Sequence, residues 1–191
     1  YNVKNIINLV KTNLFYFFSS KEKINSCQIC YGENLISLKK NKSLIIKLSK
    51  CKQCNIVFQN PILSEKNLNQ YYSLLYRGFN SPKVEKNLFD RGSRRGKYIY
   101  DYIKNYISEE ISNKSILEIG SGYGGIINTF KKNNNSVFSQ EIDSQCDKFI
   151  NNNLGIKNYI DINNKNLNMK KFDIIIVSHT LEHIYNIREF L

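Results

Sequence analysis

The sequence predicts an α/β protein in which a parallel, ligand-binding sheet follows a small metal-binding module. Three observations carry this reading. Two C-x-x-C pairs stand close to the N-terminus, a strand–glycine turn–helix pattern occupies residues 115–130, and a segment from Phe172 runs through a turn into an unbroken apolar stretch, 174–177, that ends in a polar cluster. A chain of 191 residues has room for one ordinary domain and one small module. We divide it into an N-terminal helical segment (1–26), a zinc-binding module (27–63), a helical linker or lid (64–113) and an incomplete ligand-binding domain (114–191).

Composition narrows the classes. The net charge of +12 invites a nucleic-acid partner, but the lysines are dispersed and no run reaches five like charges. A solvated basic surface or an anionic small substrate, such as a nucleotide-linked sugar, accounts for it as well. Residues 12–20 are uncharged and carry Leu14, Phe15, Phe17 and Phe18, yet this stretch is far short of the ~20 apolar residues that span a bilayer. It reads as a helix packed on the body of the protein. No small-residue cleavage site marks a signal peptide, so the expected compartment is the cytoplasm. The chain opens on Tyr1, which implies that the natural start is missing or processed.

Cys27-x-x-Cys30 and Cys51-x-x-Cys54 are separated by twenty residues. This two-knuckle spacing presents four thiolates to one tetrahedral zinc and leaves no open ligand position, which points to a structural role. Two disulfides or a redox pair are the alternatives, and nothing else in the sequence points to an oxidising compartment. Between the pairs, Leu35, Ile36 and Leu38, then 44–46 with Leu48, predict a hairpin turning at 39–42. Cys146 stands apart and reads as an ordinary half-buried helix thiol.

A short strand at 56–60 ends at Pro61. Ser64 then starts a helix carrying Leu68, Tyr71, Tyr72, Leu75 and Tyr76, with Gly78 as its stop. A second amphipathic helix carries Tyr98, Ile99, Tyr102, Ile103, Tyr106 and Ile107. Between the two helices lies a basic stretch with Arg77, Arg91, Arg94 and Arg95. Core packing explains the tyrosines; the sharper reading has Tyr72 or Tyr76 closing over a bound ligand. The arginines suit a carboxylate or phosphate, or a solvated loop.

Residues 115–119 predict a buried strand, and 120–125 (Gly-Ser-Gly-Tyr-Gly-Gly) a tight turn that lets the backbone approach a ligand. Gly120, Gly122 and Gly125 also satisfy the dinucleotide pattern G-x-G-x-x-G, so the turn alone does not choose its ligand. Glu118, two residues before Gly120, can receive an ammonium group. Glu141 ends a second strand twenty-one residues after Gly120, where a carboxylate accepts ribose hydroxyls. The apolar run at 174–177 reads as a parallel strand covered on both faces, delivering His179, Glu182 and His183 at its carboxyl end.

This combination, E-x-G-x-G, a distal acid and F-D-x-I-x-x-x-H-x-L-E-H, resembles the class I S-adenosylmethionine-dependent methyltransferases of the small-molecule type. The upstream C-x-x-C pairs, Asn60-Pro61 and the tyrosine-rich segment resemble members with an N-terminal zinc-binding domain, many of which modify sugars or related metabolites. The resemblance covers about 27–191. It implies a Rossmann-like methyltransferase fold, S-adenosylmethionine and structural zinc as cofactors, and a small-molecule methyl acceptor. Glu118, Gly120, Ser121, Gly122 and Gly124 would line the methionine part and Glu141 the ribose. Ile142 and Asp161 would lie near the adenine, and Tyr76 and His179 beside the cofactor. His179, then His183, are the candidate bases.

Such a fold has seven strands, and about four are expected here, so the sequence reads as a fragment with an open sheet edge beside 173–177. As an isolated chain it should bind cofactor poorly and turn over little. A zinc-ribbon RNA methyltransferase, a non-catalytic binding module and an NAD-dependent oxidoreductase are the rivals.

Overall fold

The computed structural model describes residues 3–38, 46–71 and 85–190. The chain divides into two compact units, one formed by Tyr1–Asn80 with His183–Leu191 and the other by Ser81–Glu182. The division falls inside the segment 64–113.

In the first unit, α1 (Val3–Phe18) precedes β1 (Lys21–Glu22), β2 (Leu35–Leu38), β3 (Leu48–Cys51), β4 (Val57–Gln59), β5 (Ile62–Leu63) and α2 (Glu65–Gln70). Strands β2, β3 and β4 form an antiparallel sheet with β3 in the centre, and β1 pairs with β5. Helix α1 buries Tyr16, whose hydroxyl bonds the carbonyl of Pro61, while Leu14, Phe17 and Phe18 stay exposed. Its apolar content is therefore only partly used against the body. The expected hairpin turn at 39–42, and the residues Tyr72, Leu75, Tyr76, Arg77 and Gly78, lie outside the described residues.

The second unit begins with α3 (Glu85–Ile107). It continues through β6 (Ser115–Ile119), α4 (Gly125–Lys132), β7 (Ser136–Gln140), α5 (Ser144–Phe149), β8 (Lys157–Tyr159), α6 (Lys165–Asn168) and β9 (Ile174–Val177). The four strands form one parallel sheet in the order β8-β7-β6-β9. The chain thus runs outward from β6 to β8 and then returns to the other side of β6, which creates a topological switch point between β6 and β9. Strand β9 pairs only with β6 among the described residues. Its apolar run is not covered on both faces as the sequence led us to expect. Ile176 is buried, but Ile175 on the opposite face is 56% exposed.

The core lies where α4 packs on the sheet. Ile116, Ile127, Phe130 and Ile150 are fully buried there, each worth roughly 1.5–3 kcal/mol relative to exposure. Helix α3 is continuous through Arg91, Arg94 and Arg95, which are exposed on it rather than in an interhelical loop. The reason is a glycine contact. A Cβ on Gly96 would stand 2.9 Å from the Ile126 Cα, and one on Gly125 would stand 2.4 Å from the Phe89 carbonyl oxygen. The two helix backbones touch, so the part of the basic stretch that holds Arg91, Arg94 and Arg95 is a packed helix. Only part of its aromatic stripe is core: Tyr100 is buried, whereas Tyr98, Tyr102 and Tyr106 face solvent.

Candidate functional site

The glycine turn lies at the carboxyl end of β6, at the switch point. Gly120, Gly122 and Gly124 all hold left-handed backbone, with φ of 69°, 53° and 71°. Side chains other than glycine rarely adopt this conformation. The turn is pinned by β7, because the N–H groups of Gly120 and Ser121 both donate to the Gln140 carbonyl, at 2.8 and 3.2 Å. At Gly120 a Cβ would meet Thr180 Oγ1 at 2.2 Å, so the loop after β9 presses directly on the turn. At Gly122 a Cβ would meet nothing within 4 Å, so the turn presents bare backbone to open space. Ser121 is 8% exposed, and its buried hydroxyl oxygen has no hydrogen-bond partner. A buried hydroxyl without a partner is costly and points to a ligand that completes it.

The two predicted acids behave differently. Glu141, just past β7, accepts from the Gly122 N–H at 2.8 Å and from the Asp143 N–H at 2.9 Å. Its carboxylate thus sits against the turn, each oxygen accepting from a backbone N–H. Glu118 is 1% exposed and accepts from the Ile127 N–H at 2.9 Å, inside the first turn of α4. Burial, opposed by that N–H bond, pushes its carboxyl up to about 8, with the Glu141 charge adding to the rise and Arg95 opposing it. Glu118 is therefore protonated at neutral pH.

Ile142 follows Glu141 and exposes 62% of its surface, an apolar side chain offered to solvent at the sheet's carboxyl edge. Asp161, beyond the end of β8, is exposed and accepts from the Asn163 N–H at 2.9 Å, closing a local turn. His179 follows β9 in left-handed backbone, φ 55°, a strained conformation for a residue with a side chain. Its Nδ1 stands 3.3 Å from Glu182 Oε1, and both side chains are more than half exposed. The segment Leu181–His183 is a single 3₁₀ turn. His183 is half-buried and falls in the first unit. Tyr76 lies outside the described residues. Sequence reasoning missed Gln140, whose contribution is a backbone carbonyl, and Thr180, whose close contact with Gly120 no local pattern announces.

In the first unit the four cysteines Cys27, Cys30, Cys51 and Cys54 converge. Their sulfurs all lie within 4.8 Å of one another, with Cys27–Cys54 at 3.6 Å and Cys30–Cys51 at 3.5 Å. Tetrahedral zinc with ~2.3 Å bonds to sulfur places its ligands about 3.8 Å apart, so the cluster fits a metal ion. The two knuckles are built alike. Tyr31 and Asn55, each four residues after the first cysteine of its pair, donate their N–H to the carbonyls of Cys27 and Cys51. Both hold left-handed backbone, φ 64° and 63°. Four thiols this close cannot all ionise unaided. Cys51 falls to about 7, chiefly through the Cys54 N–H. Cys54 is pushed up to about 12, because the Ile56 N–H is outweighed by burial and the neighbouring thiols. Cys146 lies on a helix, α5, as expected, but is buried rather than half-buried.

No helix among the described residues is long and apolar enough to cross a membrane. Searches against protein-family models and curated proteins give no match for this chain. The structure establishes a mixed α/β chain with a four-stranded parallel sheet and a four-cysteine cluster compatible with zinc.

Proposed function

We propose that the full-length protein is an S-adenosylmethionine-dependent methyltransferase acting on a small molecule, a sugar or related metabolite, in the cytoplasm. In this reading the four parallel strands are part of a seven-stranded Rossmann-like sheet, and the cysteine cluster holds a structural zinc. One observation carries the cofactor reading. A turn of left-handed glycines at the switch point meets the Glu141 carboxylate through Gly122. Nucleoside ligands bind at such crevices, outside the carboxyl ends of parallel strands. The open space at Gly122 and the orphaned Ser121 hydroxyl support the fit.

When bound, S-adenosylmethionine supplies an electrophilic methyl carbon on a sulfonium. The chain's residues then have distinct tasks. Gly120, Ser121, Gly122 and Gly124 bring backbone and one hydroxyl to the methionine part. Glu141 would accept the ribose hydroxyls, with Ile142 and Asp161 toward the adenine. Glu118 gives up its proton when an ammonium group stands beside it. His179, oriented by Glu182, removes the acceptor's proton, a task that needs a base titrating near neutrality; His183 orients substrate or serves in its place. Alignment of nucleophile and methyl, with exclusion of water, supplies most of the rate.

The charge of +12 favours a zinc-ribbon RNA methyltransferase as the second reading. Calorimetric titration of the full-length protein with S-adenosylmethionine, NAD and a short RNA separates the readings. We expect S-adenosylmethionine to bind and NAD not to; tight binding of NAD alone overturns the proposal. RNA binding that weakens steeply with salt would move the acceptor from metabolite to RNA.

A further inference from the structure

The first unit contains a second polar site that the cofactor reading does not use. A cleft of about 320 Å³ is lined by Lys23, Asn25, Ser26, Gln28, Asn186 and Arg188 among others, and no carboxylate of the described residues lines it. A volume of this order accommodates a small metabolite. Its floor is set by Gln28, whose side-chain amide donates to the Tyr185 carbonyl and accepts from the Ile187 N–H.

Arg188 is the informative residue. Its guanidinium is stacked 3.6 Å from the centre of the Tyr31 ring, and Nη2 donates to the Cys27 carbonyl at 2.8 Å. These contacts fix the fork in place. Yet Nε is buried and has no hydrogen-bond partner. No carboxylate pairs with Arg188: the ion pairs found among the described residues are Lys104–Glu110 and His179–Glu182. Two acids bond residues that line the cleft, Glu22 accepting from the Tyr185 hydroxyl and Glu189 from the Asn186 amide, and neither reaches the Arg188 guanidinium. A half-buried cation without a counter-ion carries a desolvation cost that a bound anion offsets. An immobilised guanidinium fork with a second cation, Lys23, and neutral donors beside it suits the oxygens of a phosphate.

We propose that this cleft is an anion site that takes a phosphate group, free or carried on a small molecule, with Arg188 as its principal ligand and Lys23 as its second. The site does not depend on the methyltransferase reading. It does depend on the first knuckle, because Cys27 and Tyr31 hold Arg188.

The test is calorimetric titration of the full-length, zinc-loaded protein with inorganic phosphate, glucose 1-phosphate and glucose. Both phosphates should bind and glucose should not. Tighter binding of glucose 1-phosphate assigns the site to a phosphorylated metabolite, and equal binding assigns it to phosphate itself. Arg188→Gln should weaken binding at least ~10-fold and Lys23→Gln about threefold. Lys23→Gln touches neither knuckle, so it reports on the site even where Arg188→Gln perturbs the fold. Failure of both phosphates to bind the wild type, or binding unchanged in Lys23→Gln and Arg188→Gln alike, overturns the proposal.

Discussion

Replacing Glu118 with glutamine separates the energetic cost of this residue from its use. The carboxyl is fully buried and titrates near 8, chiefly because burial disfavours its charge, against an ordinary value of 4.5. Below about pH 4.5 the folded and unfolded states both hold the proton, and the residue carries no penalty. Between about 4.5 and 8 the unfolded chain releases the proton while the folded chain keeps it. Stability therefore falls by about 1.4 kcal/mol per pH unit across that window, with a total on the order of 5 kcal/mol once the folded group also ionises. Glutamine has nearly the same shape, can accept from the Ile127 N–H and has no such titration. Urea denaturation of wild type and Glu118→Gln at pH 5, 7 and 8.5 should show near-equal stability at the lowest pH. The variant should be ahead by on the order of 3 kcal/mol at pH 7. A gap that stays constant from pH 5 to 8.5, or that favours the wild type as pH rises, refutes the reasoning. The same substitution should weaken S-adenosylmethionine binding, so the variant gains stability while losing ligand.

Further outcomes follow from the packing and the two candidate sites. Gly125→Ala brings a Cβ to 2.4 Å from the Phe89 carbonyl oxygen, a backbone atom. Thermal unfolding should show a loss of roughly 1–3 kcal/mol despite the better helix propensity of alanine. Elemental analysis should find one zinc per chain. Cys30→Ser or chelation should release it and lower the melting temperature of the first unit, since metal-binding energy in such modules is folding energy. Glu141→Ala should reduce S-adenosylmethionine affinity about 10-fold or more, in line with roughly 1.5–3 kcal/mol for hydrogen bonds to a charged group. Unchanged affinity in isothermal titration would remove Glu141 from the ribose site.

Patterns confined to a few neighbouring residues were legible in the sequence. The bounds of β6 at Ser115–Ile119, the strand at Leu35–Leu38 and the convergence of the four cysteines all follow from spacing and alternation. Strand β7 ends at Gln140, one residue before Glu141, although the Glu141 N–H still donates to the Tyr159 carbonyl at 3.1 Å. What depends on distant partners was not legible. Arg91, Arg94 and Arg95 read as a stretch between two helices, yet they lie within α3, where Gly92 and Gly96 let α4 approach closely. The 3₁₀ turn after β9 and the left-handed backbone of His179 carry no local signature. Arg188 joins Cys27 across 161 positions of chain, a pairing that no periodicity encodes. Glu118 was legible as an acid two residues before the turn, but its protonation is set by burial under α4, which emerges only once the helix is placed.

Ultraviolet crosslinking of S-adenosylmethionine carrying a tritiated methyl group to the full-length protein, followed by peptide mapping, tests the central claim most directly. The account predicts label in peptides covering residues 118–125 or 139–142, competed by unlabelled S-adenosylmethionine and not by NAD, and lost in Glu141→Ala. Label confined to other parts of the chain, or competed away by NAD, would contradict it.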